Sequence, residues 1–139
     1  MNLNDDYSAV RRRTEWLCRN LETEDYVVQP VADVSPPKWH LGHTTWFFET
    51  FVLIPNLPAY REFHPDFSFV FNSYYESLGS RVIRADRGNL SRPTVQEIFR
   101  YRKYVDDAMT VLLTGGFEEH VGSLVILGLN HEQQHQELL

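Results

Sequence analysis

Apolar residues recur at helical spacing in four long stretches of this chain. In the first, Tyr7, Val10, Thr14, Leu17 and Leu21 fall on one stripe, which predicts a helix from about Asp5 to Glu22 with Arg11, Arg12 and Arg13 facing mostly away. Pro30 and then Ser35-Pro36-Pro37 interrupt the pattern, and Ser35 before Pro36 reads as an N-cap followed by proline at the first helical position. A second helix is therefore expected from Pro36 to about Ile54, stopping before Pro55. Its inward stripe is Trp39, His43, Trp46, Phe47, Thr50 and Ile54.

Between Pro55 and Pro93 no periodicity is sustained, although the stretch can hold a short helix. Thr94-Val95-Gln96-Glu97 fits a capping box, so a third helix should run from there to about Leu113 and end at Gly115-Gly116. Val95, Ile98, Phe99, Arg102, Val105, Met109 and Leu112 mark its buried side. The fourth begins near Phe117 or Glu118, with Leu124, Gly128, His131, His135 and Leu138 on one face. Four amphipathic helices in series predict an all-α four-helix bundle, with a long and partly irregular connection between helices two and three.

Length and composition narrow the classes of function. At 139 residues the chain is one domain long. A formal net charge of −6 disfavours nucleic acid as a partner, although clustered arginines leave a small acidic substrate open. The lone cysteine, Cys18, excludes an internal disulfide and reads as a packed thiol within the first helix. No apolar run is long enough to span a membrane, and the polar, acidic start lacks the look of a signal sequence. The expected location is the cytoplasm.

The candidate chemistry lies in His131-Glu132-Gln133-Gln134-His135. Residues four apart on a helix differ by only about 40° around its axis, so both imidazoles can face one metal ion. Both histidines continue the apolar stripe of helix four, and His43 lies in the apolar stripe of helix two. Three imidazoles aimed at a bundle core are costly unless something satisfies their nitrogens, and a divalent metal does so. His40, three residues before His43, is an alternative third ligand; His43 is the more central to the stripe. His64 and His120 read as loop or surface residues. The string also matches the HExxH pattern of zinc proteases, but those draw a third ligand from downstream, and four residues follow His135 here. Imidazole suits both zinc and iron, so ligand type leaves the metal open.

Four stretches together carry a more specific likeness: Ser35-Pro36-Pro37-Lys38-Trp39-His40-Leu41-Gly42-His43, Phe71-Asn72-Ser73-Tyr74-Tyr75-Glu76, Arg87-Gly88-Asn89-Leu90-Ser91-Arg92-Pro93-Thr94, and Leu129 through Leu138 around the histidine pair. In combination they resemble the N-terminal, DinB-like domain of the sulfoxide synthases (hercynine oxygenases) of ergothioneine biosynthesis. The resemblance implies a non-haem iron(II) enzyme that uses dioxygen to join a thiol, cysteine or γ-glutamylcysteine, to the imidazole C2 of hercynine. It implies His43, His131 and His135 as iron ligands. Gln134 matches a position that helps hold the hercynine ring, and reads equally as a solvated helix residue. Arg81, Arg84, Arg87 and Arg92 are candidates for the thiol's carboxylates; Arg87 and Arg92, in the best-matching stretch, are the preferred pair.

The family's enzymes carry a second domain, resembling formylglycine-generating enzymes, that completes the pocket and supplies a catalytic tyrosine. None of it is among these residues, so no catalytic acid–base residue is assigned to this chain. The expectation is a fragment that binds metal but turns over poorly alone, with an apolar face left for the second domain or for dimerisation. Two further readings fit the same residues. One is a stand-alone DinB-like thiol S-transferase using another divalent metal, and the other is a metal-stabilised module without catalysis.

Overall fold

The computed structural model describes residues 2–73 and 80–139, so Tyr74, Tyr75 and Glu76 of the resembling stretch lie outside the described residues. Among the described residues six α-helical elements are formed: α1 (Leu3–Leu17), α2 (Pro37–Phe47), α3 (Ile54–Asn56), α4 (Phe67–Phe71), α5 (Val95–Thr114) and α6 (Glu119–Leu138). No strand occurs among the described residues. The long helices α1, α2, α5 and α6 pack as the expected bundle, α1 against α5 and α6, and α2 against α5 and α6. None of the described helices is long and apolar enough to cross a membrane.

α1 and α5 begin where a side chain satisfies an exposed backbone N–H group. Asn2 Oδ1 accepts from the Asp5 N–H at 2.9 Å and starts α1. Thr94 Oγ1 accepts from the Glu97 N–H at 3.1 Å while Glu97 Oε1 accepts from the Thr94 N–H, the reciprocal pair the sequence predicts for α5. Two of the boundaries that differ from expectation have a visible cause. α1 stops at Leu17 rather than Glu22, because the Glu22 N–H donates to Asp25 Oδ2 and the chain starts a separate 3₁₀ turn, Thr23–Val27. α2 starts at Pro37 with Pro36 as its cap, one residue late, because the Ser35 hydroxyl is engaged by the Arg87 guanidinium at 2.9 Å.

The second helix does not stop before Pro55 either. α2 widens into a π-helical segment, Phe48–Leu53, and continues as α3 through Pro55. Pro55 is tolerated because it falls in the first turn of the new hydrogen-bond register, where a missing N–H costs little. A π segment inserts a residue per turn and rotates everything beyond it. The predicted stripe accordingly holds from Trp39 to Phe47, then fails: Thr50 is half-buried and Ile54 is exposed. Almost all of α2 is buried, from Lys38 through Phe47, which makes it the central helix of the bundle.

The core is aromatic and aliphatic, with Trp46, Phe48, Ile98, Tyr101, Val105, Met109 and Val125 fully covered. Cys18 is buried, as expected, and burial pushes its thiol pKa up. Arg11 corrects the sequence reading: it is 2% exposed and points inward. It stands four residues after Tyr7 and three before Thr14, squarely on the buried stripe. Its guanidinium donates to Asp106 at 2.7 Å, Glu132 at 2.8 Å and Thr45 at 2.8 Å.

Candidate metal centre

Two helices bring the imidazoles together. His43 projects from the middle of α2; His131 and His135 come from one face of α6, a turn apart. Ring centroids lie 4.9 Å apart for His43 and His131, 4.8 Å for His43 and His135, and 4.6 Å for His131 and His135. One nitrogen from each of the three lies within 4.8 Å of the others. Among the described residues this is the group of histidine, cysteine and acidic side chains arranged to share an ion.

Packing fixes how closely α6 approaches. A side-chain carbon at Gly128 would lie 2.5 Å from the Phe48 ring, so only glycine lets the helices close at this point. One turn later His131 stacks on Phe47, centroids 4.8 Å apart. Glu132, between the two histidines, turns the other way and is fully buried. It accepts from Arg11, from Thr14 at 2.6 Å and from Arg102 at 3.2 Å. Burial alone would raise its carboxyl pKa, but the two guanidiniums and the hydrogen bonds hold it down at about 2. Glu132 is thus an anchor for the helix, sequestered from the imidazole cluster and unsuited to the role of a protease base.

The ring nitrogens are prepared for a cation. His43 Nδ1 lies 2.6 Å from the Phe71 carbonyl at the end of α4; a carbonyl can only accept, so Nδ1 carries the proton and Nε2 keeps its lone pair. That Nε2 lies 3.1 Å from His131 Nε2, a close pairing of two atoms that can both serve as metal donors. His131 Nδ1 is buried without a hydrogen-bond partner among the described residues. Burial lowers the pKa of all three imidazoles, and the neighbouring rings lower His43 and His135 further, the latter to about 3. The cluster is therefore neutral at neutral pH, the state that binds metal.

His40 does not join the three donors but sits behind them. Its Nδ1 lies 2.9 Å from His135 Nδ1, and burial holds its pKa at about 4. Trp39 stacks on His43, centroids 4.4 Å apart and planes 11° apart, and the Arg87 guanidinium lies 3.5 Å over the far face of the same indole.

These groups form the floor and wall of a cavity of about 400 Å³. Arg84 and Arg87 both line it, since they are three residues apart on the 3₁₀ turn Arg84–Asn89 and so share a face. Gln134 lines it from α6, exposed to solvent. Arg92 is placed elsewhere: exposed, donating to the Ser91 carbonyl and outside the lining of this cavity. His64 stacks on Phe67 and His120 is exposed on α6, both remote in role from the cluster.

Three neutral imidazoles suit a divalent transition metal and leave further coordination positions for other molecules. A comparison with curated proteins finds no match. The family model described as the DinB superfamily matches residues 6–139, nearly the whole of the sequence. With its helical bundle and its cluster of histidines from two helices, the chain belongs to the DinB superfamily.

Proposed function

We propose that this chain is the metal-binding domain of a dioxygen-dependent, non-haem iron(II) sulfoxide synthase that joins a thiol to hercynine. The observation that carries the reading is the meeting of His43, His131 and His135 at the floor of a cavity whose wall bears Arg84 and Arg87. The likeness of four sequence stretches to that family supplies the reaction; the geometry supplies a place for it.

In this reading His43, His131 and His135 hold the iron, which when bound supplies dioxygen activation and one-electron chemistry. The overall change balances: the thiol S–H and the imidazole C2–H are lost, a C–S bond and an S–O bond form, and the second oxygen atom of dioxygen leaves as water. The protein orients the reactants. Gln134 flanks the hercynine ring, and Arg84 and Arg87 take the carboxylate of cysteine or γ-glutamylcysteine. Arg92 has no part in binding a substrate seated here. Val34 and Leu138, at the cavity edge, are exposed apolar residues that a second domain of the family's kind would cover.

The test is to load the protein with iron(II) under argon and add hercynine, then a thiol, following the metal's spectrum before admitting air. A shift with hercynine and a second shift with thiol, followed by oxygen uptake, support the assignment. An unchanged spectrum with hercynine, or thiol transfer that proceeds without oxygen, would sink it in favour of an S-transferase.

A further inference from the structure

A ligand histidine is best oriented when its second ring nitrogen is fixed, because a neutral imidazole coordinates only through the nitrogen that lacks the proton. For His43 the Phe71 carbonyl does this. Among the described residues His135 Nδ1 faces no carbonyl; it faces His40 Nδ1 at 2.9 Å. Two neutral imidazoles in such contact share one proton, and only two arrangements exist. If His40 donates, His135 carries its own proton on Nε2 and cannot bind a metal through that atom. If His135 donates, its Nε2 lone pair is free.

We propose that His40 is a positioning residue that accepts the Nδ1–H of His135 and so presents the Nε2 lone pair of His135 to the metal. The proposal rests on the metal centre assigned above. His40 suits the task because it is held still: it is 5% exposed, and its ring packs edge-on against Trp39 with centroids 5.5 Å apart. It also stands three residues before His43 on the same helix. α2 therefore carries one ligand and the group that orients a ligand of α6, so a shift between the two helices alters both at once.

The competing role for His40 is a fourth ligand, with both Nδ1 atoms turned to the ion. Cobalt(II) titration of the full chain separates the two, because its visible absorption reports coordination number and its affinity is measured against a competing chelator. His40→Leu fills the space without an acceptor; His40→Asn keeps an acceptor near the position of Nδ1. The expected result is cobalt affinity reduced roughly 10- to 100-fold in His40→Leu. Most of it should be restored in His40→Asn, with the same absorption bands in both as in the wild type. Wild-type affinity in His40→Leu overturns the proposal. So does equal weakening in both variants, which would assign the effect to packing, or altered bands, which would make His40 a ligand. Nitrogen NMR of the zinc(II)-loaded wild-type protein tests the same point without any variant: His40 should carry its proton on Nε2 and His135 on Nδ1, and the reverse overturns the proposal. Wild-type protein that binds no cobalt, or His135→Ala that binds it as tightly as wild type, rejects the metal centre itself rather than the role of His40 alone.

Discussion

Arg11 of α1 and Glu132 of α6 form an ion pair at 2.8 Å in which the arginine is 2% exposed and the carboxylate not at all. Glu132 also accepts from Arg102 of α5, so one carboxylate joins three helices from within the histidine motif. Such a buried pair is not in itself strong evidence for net stability, since both charges are desolvated. Its removal is another matter, because two buried guanidiniums would lose the one fully buried carboxylate they share, leaving Arg11 with Asp106 and Arg102 with Glu15 at 3.5 Å, both partners partly exposed.

Glu132→Ala is therefore expected to destabilise the protein by about 3–5 kcal/mol, read from urea unfolding. Metal affinity should fall with it, as the register of α6 is released. A loss below about 1 kcal/mol would show that the network is not what holds α6.

Acid should weaken the metal-free protein in two overlapping stages. Below pH ~6.5 the unfolded chain takes up protons that His40 and His135 refuse until about 4 and about 3, so stability falls as pH drops through that window. Glu132 has a folded pKa of about 2, below the ordinary value, so its contribution is present above pH ~4.3 and lost as pH falls towards 2. Urea midpoints at pH 7.5, 6, 5 and 4 should decline steadily. A flat profile from pH 7.5 to 4 contradicts this.

Gly42→Ala tests how the ligand on α2 is oriented. The added methyl would lie 2.2 Å from the Phe71 ring, whose own carbonyl holds His43 Nδ1. Phe71 is 1% exposed and cannot move freely. A loss of about 1–3 kcal/mol in stability is expected from the overpacking, with weaker metal binding as the carbonyl shifts. Calorimetry with zinc(II) measures the second effect, and unchanged affinity would separate Phe71 from the site.

The arginines divide by position. Arg87→Ala should weaken thiol binding by roughly ten- to a hundredfold, the scale of a charge-assisted hydrogen bond worth about 1.5–3 kcal/mol. Arg92→Ala should leave it unchanged, because Arg92 is exposed and bonded to Ser91. Thiol titrations of the metal-loaded variants give the comparison; equal effects would relocate the thiol site.

Much of this was legible in the residues alone. The cap at Thr94 and Glu97, the turn-apart histidines and the apolar stripe through His43 each depend on local spacing, and local spacing survives folding. What was illegible depends on contacts between distant segments. The π-helical turn after Phe47 adds no unusual residue, so helical spacing alone does not show that Thr50 and Ile54 rotate off the buried face. Ser35 has the chemistry of an N-cap, but Arg87, fifty-two residues away, claims its hydroxyl. Arg11 stands at the spacing of the buried stripe, but the partners that make burial of its charge possible, Asp106 and Glu132, lie far along the chain. The pairing of Arg84 with Arg87 followed from a 3₁₀ turn that the irregular connection did not announce.

The most direct measurement is metal content after loading with one divalent ion in excess and desalting. Wild type and His64→Ala should each keep about one ion per chain, while His43→Ala, His131→Ala and His135→Ala should keep little, with wild-type helical circular dichroism throughout. Full retention in His43→Ala would mean that α2 and α6 do not share an ion, and the account of this site would fail.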